Sequence, residues 1–274
     1  MPELPEVETV ARDLAAQANG RTITGVEWLD WPRMIETPDE AGFRAGIAGR
    51  KILAVARRAK WVLATLEGGL TLAVHLRMSG SLVVYPADHP IDPYTHLVLA
   101  LDDGRRIFFR DVRKFGRVRL LDAAGLAALD AHHGVEPLSD GFTPAVFARI
   151  LAGKSTRIKP LLLDQALIAG LGNIYVDEAL WHAKIHPERP AAAVQAKEAK
   201  ALHGAIQEVL TKSITLGGSS FRDYRNGYGQ QGGNQVSFAV YQRGGEPCQR
   251  CGGLIERMVV AQRGTHVCPK CQPR

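Results

Sequence analysis

The sequence predicts an α+β protein: an N-terminal two-layer β-sandwich with flanking helices, then a helical domain, then a small cysteine-bound module. Three observations carry that expectation. Short β-prone runs separated by turn residues fill positions 50–121. From Asp122 the texture changes to alanine-rich helical periodicity. The only cysteines form two Cys-x-x-Cys pairs, Cys248/Cys251 and Cys268/Cys271, near the C-terminal end.

At 274 residues the chain is long enough for two domains with their own cores. No apolar stretch is long enough to span a membrane, and the acidic, proline-bearing start does not read as a signal peptide. No membrane partner is expected, and a cytoplasmic, monomeric protein is expected. The balance of 34 basic against 28 acidic residues gives a net charge of +6. Its distribution says more than its size. Arg50–Lys60 holds five basic residues and no acid, and Arg105–Arg119 holds seven against Asp111 alone. Such clusters suit phosphate contacts, with a solvated face as the plainer alternative.

In chain order, Val7, Val10, Ala11 and Leu14 mark one face of a helix that starts near Pro5. The acids Glu3 and Glu6 suit the positive end of its dipole, and a capped helix is the plain reading. A chemical reading stands beside it. Removal of Met1 leaves Pro2 as a secondary amine, and an α-amino group titrates near about 8, far below a lysine at about 10.4. The neutral fraction is a nucleophile able to form a Schiff base with a sugar aldehyde carbon. Glu3 and Glu6 lie close enough in sequence to move protons for it.

Strands are expected over 61–66, 70–76, 82–85, 97–101, 107–109 and 118–121, with Asp103-Gly104 as a hairpin turn. Lys60 precedes the first of them in Arg57-Arg58-Ala59-Lys60-Trp61. His75-Leu76-Arg77-Met78-Ser79-Gly80 and Asp111-Val112-Arg113-Lys114-Phe115-Gly116 are loops between strands. An enzyme acting on a base inside a duplex must rotate it out and fill the gap. An apolar wedge and an arginine serve that purpose, although Met78 read alone is simply core.

A helix is expected over 122–133, then a linker at 136–141. Thr143-Pro144 caps a helix running to Ala152. Helices over 161–169 and 174–185 are joined by Gly170-Leu171-Gly172-Asn173. The second offers acids and large apolar residues, so it does not read as a major-groove helix. Its N-terminus suits a phosphate instead, with an ordinary helical hairpin as the alternative. A third helix fits 194–216, and 217–237 is a glycine-rich, mobile loop. Sixteen residues separate the two Cys-x-x-Cys pairs, which predicts one structural zinc ion on four thiolates, with two disulfides as the alternative.

These motifs resemble the formamidopyrimidine-DNA glycosylases, bacterial enzymes that remove oxidised purines from DNA. MPELPEVETV is similar to their N-terminus, whereas the related endonuclease VIII enzymes share Pro2-Glu3 but carry glycine in place of Leu4. RRAK matches the segment with their catalytic lysine, and PLLLDQALIAGLGNIYVDEAL matches their helix–two-turns–helix motif. The resemblance covers essentially the whole chain. It implies Pro2 as nucleophile, Glu3 as acid, Glu6 as an ordering residue, and Lys60 and Arg263 as aids to elimination. It implies DNA contacts for Met78, Arg113, Phe115, Lys154 and Asn173. Tyr94 stands where the family often has a phosphate-contacting histidine and retains one donor. Val112 replaces the usual proline, and the 217–237 loop lacks an aromatic that relatives often show near Asn234.

The expected organisation is a catalytic β-sandwich over 1–135, a helix–two-turns–helix domain over 136–216, a lesion-capping loop over 217–237 and a zinc-finger hairpin over 238–274. The expected function is a bifunctional glycosylase and abasic-site lyase acting on duplex DNA with oxidised purines or abasic sites. An endonuclease VIII-like preference for oxidised pyrimidines and a catalytically silent DNA-binding zinc protein are the alternatives.

Overall fold

The computed structural model describes residues 1–221 and 223–274, so Arg222 of the expected capping loop lies outside the described residues. Among the described residues no helix is long and apolar enough to cross a membrane. The chain forms two compact units, Met1–Ala131 with Ile214–Gln235, and His132–Ser213 with Val236–Arg274.

The first unit contains α1 (Leu4–Ala18), β1 (Thr22–Leu29), β2 (Ile35–Thr37), α2 (Glu40–Ile47), β3 (Arg50–Arg58) and β4 (Trp61–Leu66). β5 (Leu70–His75), β6 (Gly80–Tyr85), β7 (Thr95–Leu101), β8 (Arg106–Asp111), β9 (Arg117–Leu121) and α3 (Ala123–Ala131) follow. The strands hydrogen-bond in the order β2-β9-β5-β4-β3-β1-β7-β8-β6. They form one continuous nine-stranded order rather than two separate sheets. The seam is narrow: β1 meets β3 only through Thr22–Lys51 and Ile23–Arg50. On either side of it the two halves turn their inward side chains to one core, with Leu82, Leu99 and Phe109 from one and Val62, Leu72 and Val118 from the other. Helix α1 adds Val7, Val10, Ala11 and Leu14, the face its spacing marks out. Each of the valines and leucines among them contributes about 1.5–3 kcal/mol when fully buried. Helix α3 covers the other face of β4 and β5 through Leu129, packed with Trp61 and Ala73. Burial on both faces explains why these strands read as unbroken apolar runs.

β1, β2 and α2 lie outside the expected elements, and β3 falls in the β-rich 50–121 range at a place where no strand is expected. The alternation in β1 is broken at Gly25, where its register against β7 shifts, so no period-2 signal survives there.

The second unit contains α4 (Pro144–Leu151), α5 (Ile158–Leu163), α6 (Asn173–Ala183), most of α7 (Ala196–Thr215), β10 (Glu256–Val260) and β11 (Arg263–Val267). Thr143 caps α4 as its sequence predicts, accepting Val146 N–H at 3.2 Å. The helix expected over 161–169 is a correction: α5 spans Ile158–Leu163 and ends before Asp164. The Asp164 carboxylate accepts Ala166 N–H at 2.9 Å and the Gln165 side chain accepts Gly170 N–H at 2.9 Å. These side chains compete for the backbone, and residues 164–169 leave the helix. Glu178 on α6 accepts the N–H groups of Ala239, Val240 and Tyr241 at 2.8–2.9 Å, fixing the chain that enters the cysteine module.

Candidate functional site

Pro2 and Glu3 directly precede α1, and both are buried, Glu3 with 2% exposure. Pro5 fits the first turn because a helix start needs no N–H there. Glu6 is 1% exposed and holds this end in place. One of its oxygens accepts Glu3 N–H at 2.9 Å and the other accepts Ser219 N–H at 2.8 Å. The glycine-rich segment is thus tied to the start of α1. Tyr224 donates to the Glu6 carbonyl at 3.2 Å, and Asp13 and Gln17, further along the helix, bond Gly227. Gly218, at φ +80°, lies so close that a Cβ there would stand 3.1 Å from Glu6 Cγ.

Lys60 is buried, 7% exposed, in the tight turn between β3 and β4. Ala59 beside it has φ 51°. Arg57 donates to Ala59 carbonyl at 3.0 Å and to Glu8 of α1 at 2.9 Å, which ties this turn to the helix that begins after Pro2. Burial pushes the Glu8 carboxyl up, but the guanidinium groups of Arg12 and Arg57 outweigh that and hold it below its ordinary value.

Met78, Arg113 and Phe115 occupy two loops at the ends of β5 and β8. Met78 is 40% exposed and Phe115 45%, so Met78 is not the core residue it reads as when taken alone. The Arg113 guanidinium lies 4.8 Å from the centre of the Phe115 ring. Tyr94 is exposed, with the Arg110 guanidinium 4.8 Å from its ring centre.

In the second unit, Lys154 is exposed after α4, and Asn173 opens α6 behind Gly172. Asn173 donates to Gly264 carbonyl at 2.8 Å, next to Arg263. Arg263 is exposed and is the first residue of β11. The turn before it has Ala261 and Gln262 at φ 47° and 61°, a two-residue hairpin of the primed type. A fully buried ion pair supports this turn: Lys159 Nζ lies 2.6 Å from Asp177 Oδ1 and donates to Thr265 Oγ1 at 2.8 Å. Thr265 in turn donates to the Arg263 carbonyl at 3.0 Å. Lys159 and Asp177 escape sequence reasoning because a helical lysine and aspartate ordinarily read as solvent-facing.

The four cysteine sulfurs lie within 4.8 Å of one another. Cys251–Cys268 at 3.4 Å and Cys248–Cys271 at 3.9 Å are far beyond a disulfide bond of about 2.05 Å, and all four cysteines are free thiols, which removes the disulfide alternative. Burial raises the Cys248 thiol, yet N–H donors from Arg250, Cys251 and Trp181 bring it down to about 6. Burial and neighbouring sulfurs push Cys268 up to about 12. Four crowded sulfurs thus resist full ionisation without a cation among them, and the set fits one tetrahedral Zn²⁺ with no open position.

The sequence also passes over Ser79 and Asp111, both buried at the base of the two loops. The available signal was Asp111 as the lone acid in a run of seven basic residues.

Comparison with known proteins yields a consistent set. Residues 1–118 match the formamidopyrimidine-DNA glycosylase N-terminal domain, 133–225 its H2TH domain, and 245–274 the zinc finger found in FPG and IleRS. The formamidopyrimidine-DNA glycosylase of Roseiflexus sp. (strain RS-1) is 60% identical over 272 residues, covering 99% of this chain and 100% of the relative. Among solved structures, Lactococcus lactis Fpg in complex with DNA containing an abasic site has a TM-score of 0.92 at 39% identity, covering 99% of this chain and 100% of the other. MutM in complex with DNA containing carbocyclic 8-oxo-G has a TM-score of 0.92 at 39% identity, covering 100% of both chains.

Proposed function

The chain belongs to the formamidopyrimidine-DNA glycosylase family, base-excision repair glycosylases and abasic-site lyases that act on oxidised purines, and we propose that Pro2 is its nucleophile. The reading is supported above all by the Glu6 carboxylate, which fixes the Glu3 amide beside Pro2 from one oxygen and Ser219 from the other. A secondary amine held this way after loss of Met1 attacks the sugar C1′, and the base leaves as Glu3 protonates the ring oxygen. The iminium so formed acidifies C2′. Loss of that proton expels the 3′ phosphate, and a second elimination expels the 5′ phosphate.

Lys60 and Arg263 bind the phosphates that leave and assist the two eliminations. Met78, Arg113 and Phe115 fill the gap left by the extruded base, and the arginine bonds the orphaned partner base. Tyr94, Lys154 and the start of α6 at Asn173 grip backbone phosphates, which fix register without reading sequence. Zinc held by Cys248, Cys251, Cys268 and Cys271 supplies structure and no chemistry. The protein acts as a monomer in the cytoplasm, with the 217–237 segment closing on the lesion.

Borohydride trapping tests the assignment. Untagged protein on a duplex with one 8-oxoguanine opposite cytosine is expected to give a covalent band, absent when the N-terminus is acetylated or extended. A band on an abasic duplex alone would keep the Pro2 mechanism and overturn the base preference, and an oxidised-pyrimidine duplex run in parallel would name the alternative. A band that survives the blocked N-terminus would exclude Pro2. No band on any duplex would leave only DNA binding.

A further inference from the structure

We infer that Ser79 and Asp111 are positioning residues that join the Met78 loop to the Arg113–Phe115 loop, so that the two enter DNA as one insert. The inference rests on the reading that these loops fill the gap behind an extruded base.

Asp111 is 1% exposed and Ser79 2% exposed. The Ser79 hydroxyl donates to Asp111 Oδ1 at 2.5 Å and accepts Arg113 N–H at 3.1 Å. Asp111 Oδ1 also accepts Arg113 N–H at 3.2 Å, and Oδ2 accepts Gly116 N–H at 2.7 Å. One carboxylate therefore brackets the whole Arg113–Phe115 loop and, through a single hydroxyl, reaches the residue that follows Met78. The backbone of Asp111 is held as well. Its carbonyl faces His96 Nε2 at 3.0 Å, and its N–H donates to the Tyr94 carbonyl at 2.8 Å.

The local chain accepts no slack around this link. A Cβ on Gly116 would stand 3.1 Å from Asp111 Oδ2 and 2.3 Å from the Phe109 ring, and one on Gly80 would stand 2.5 Å from the Leu76 carbonyl oxygen. Arg77 and Lys114, beside the predicted contacts, take φ 54° and 57°. The tips, Met78 and Phe115, are exposed.

A shared anchor matters because wedge and partner-base contact must be in place together. Two independent loops would each lose conformational freedom on insertion, whereas a linked pair is ordered beforehand. A carboxylate that merely shaped its own loop would not require the hydroxyl of the other.

Single-turnover kinetics separate these cases. The 8-oxoguanine:cytosine duplex demands base extrusion, and a duplex with a preformed abasic site has no base to extrude. Ser79→Ala is expected to slow excision of 8-oxoguanine at saturating enzyme by about tenfold, and to leave abasic-site cleavage within about twofold. In an Arg113→Ala background the same change should add nothing, because the two act as a unit. A 2-aminopurine beside the lesion reads extrusion by fluorescence independently of cutting. Equal slowing on both substrates, no slowing on either, or effects of Ser79→Ala and Arg113→Ala that multiply would overturn the inference. Wild-type protein that cleaves the abasic duplex yet neither extrudes nor excises 8-oxoguanine would instead overturn the base assignment. Ser79→Ala keeps the Asp111 bonds to Arg113 and Gly116, so it tests the link even where Asp111→Asn fails to fold.

Discussion

Glu6 shows how much one side chain does when both of its oxygens are committed. Glutamine offers one acceptor where Glu6 offers two, so Glu6→Gln leaves either Glu3 N–H or Ser219 N–H facing an NH₂ group. We expect a loss of about 2–3 kcal/mol in urea unfolding, together with a slower borohydride trap. Glu8 makes a related prediction with pH. Its carboxyl titrates below the ordinary value in the folded chain, so its contribution is present above about pH 4.5 and is lost as pH falls through the folded value. Unfolding free energy should decline over that range, and Glu8→Gln should flatten the decline. Both residues were legible only in part. Glu3 and Glu6 stand one helical turn apart, and that is local information. Ser219 is 213 positions away from Glu6, and nothing in either segment announces the other. Asp111 was visible as an isolated acid, but its hydrogen bonds require the register of β6 against β8, which patterning does not supply.

Among elements, the tight turns have a common feature. Among the described residues, seven non-glycine residues have φ between 47° and 61°, and four of them, Ala59, Arg77, Lys114 and Gln262, adjoin Lys60, Met78, Arg113, Phe115 or Arg263, with Ala261 completing the last of these turns. Left-handed backbone costs an ordinary residue about 1–2 kcal/mol. Replacing Ala261-Gln262 by Asn-Gly should therefore stabilise the hairpin by about 1 kcal/mol, read as slower zinc loss to a chelator. Stripping the zinc altogether should release Arg263 and weaken strand cleavage more than it weakens the first covalent trap. Helix α1, α7 and the strands from β4 to β9 were legible because their apolar periods run for several residues. β1 was not, since a register shift interrupts its period. The end of α5 was missed because Asp164 and Gln165 side chains outcompete helix propensity there.

For the whole chain, neither unit is a continuous stretch, since residues 214–235 return to the first unit after the helices of the second have been made. A fragment ending at residue 135 therefore lacks Ser219, Tyr224 and Gly227, the partners of Glu6, Asp13 and Gln17. We expect such a fragment to keep strand content by circular dichroism and to give no covalent trap, even on an abasic duplex. A trap from the fragment would mean that α1 orients Pro2 unaided.

The distance along the chain from Glu6 to Ser219 also has a meaning in time. A ribosome adding about 5–20 residues per second needs roughly 10–40 s to travel the 213 residues between them. Through that interval the first residues have emerged while their clamp has not yet been made. An aminopeptidase working on the nascent chain meets Met1 on an unlatched end, and the proposed Pro2 amine is unmasked before the pocket that will use it exists.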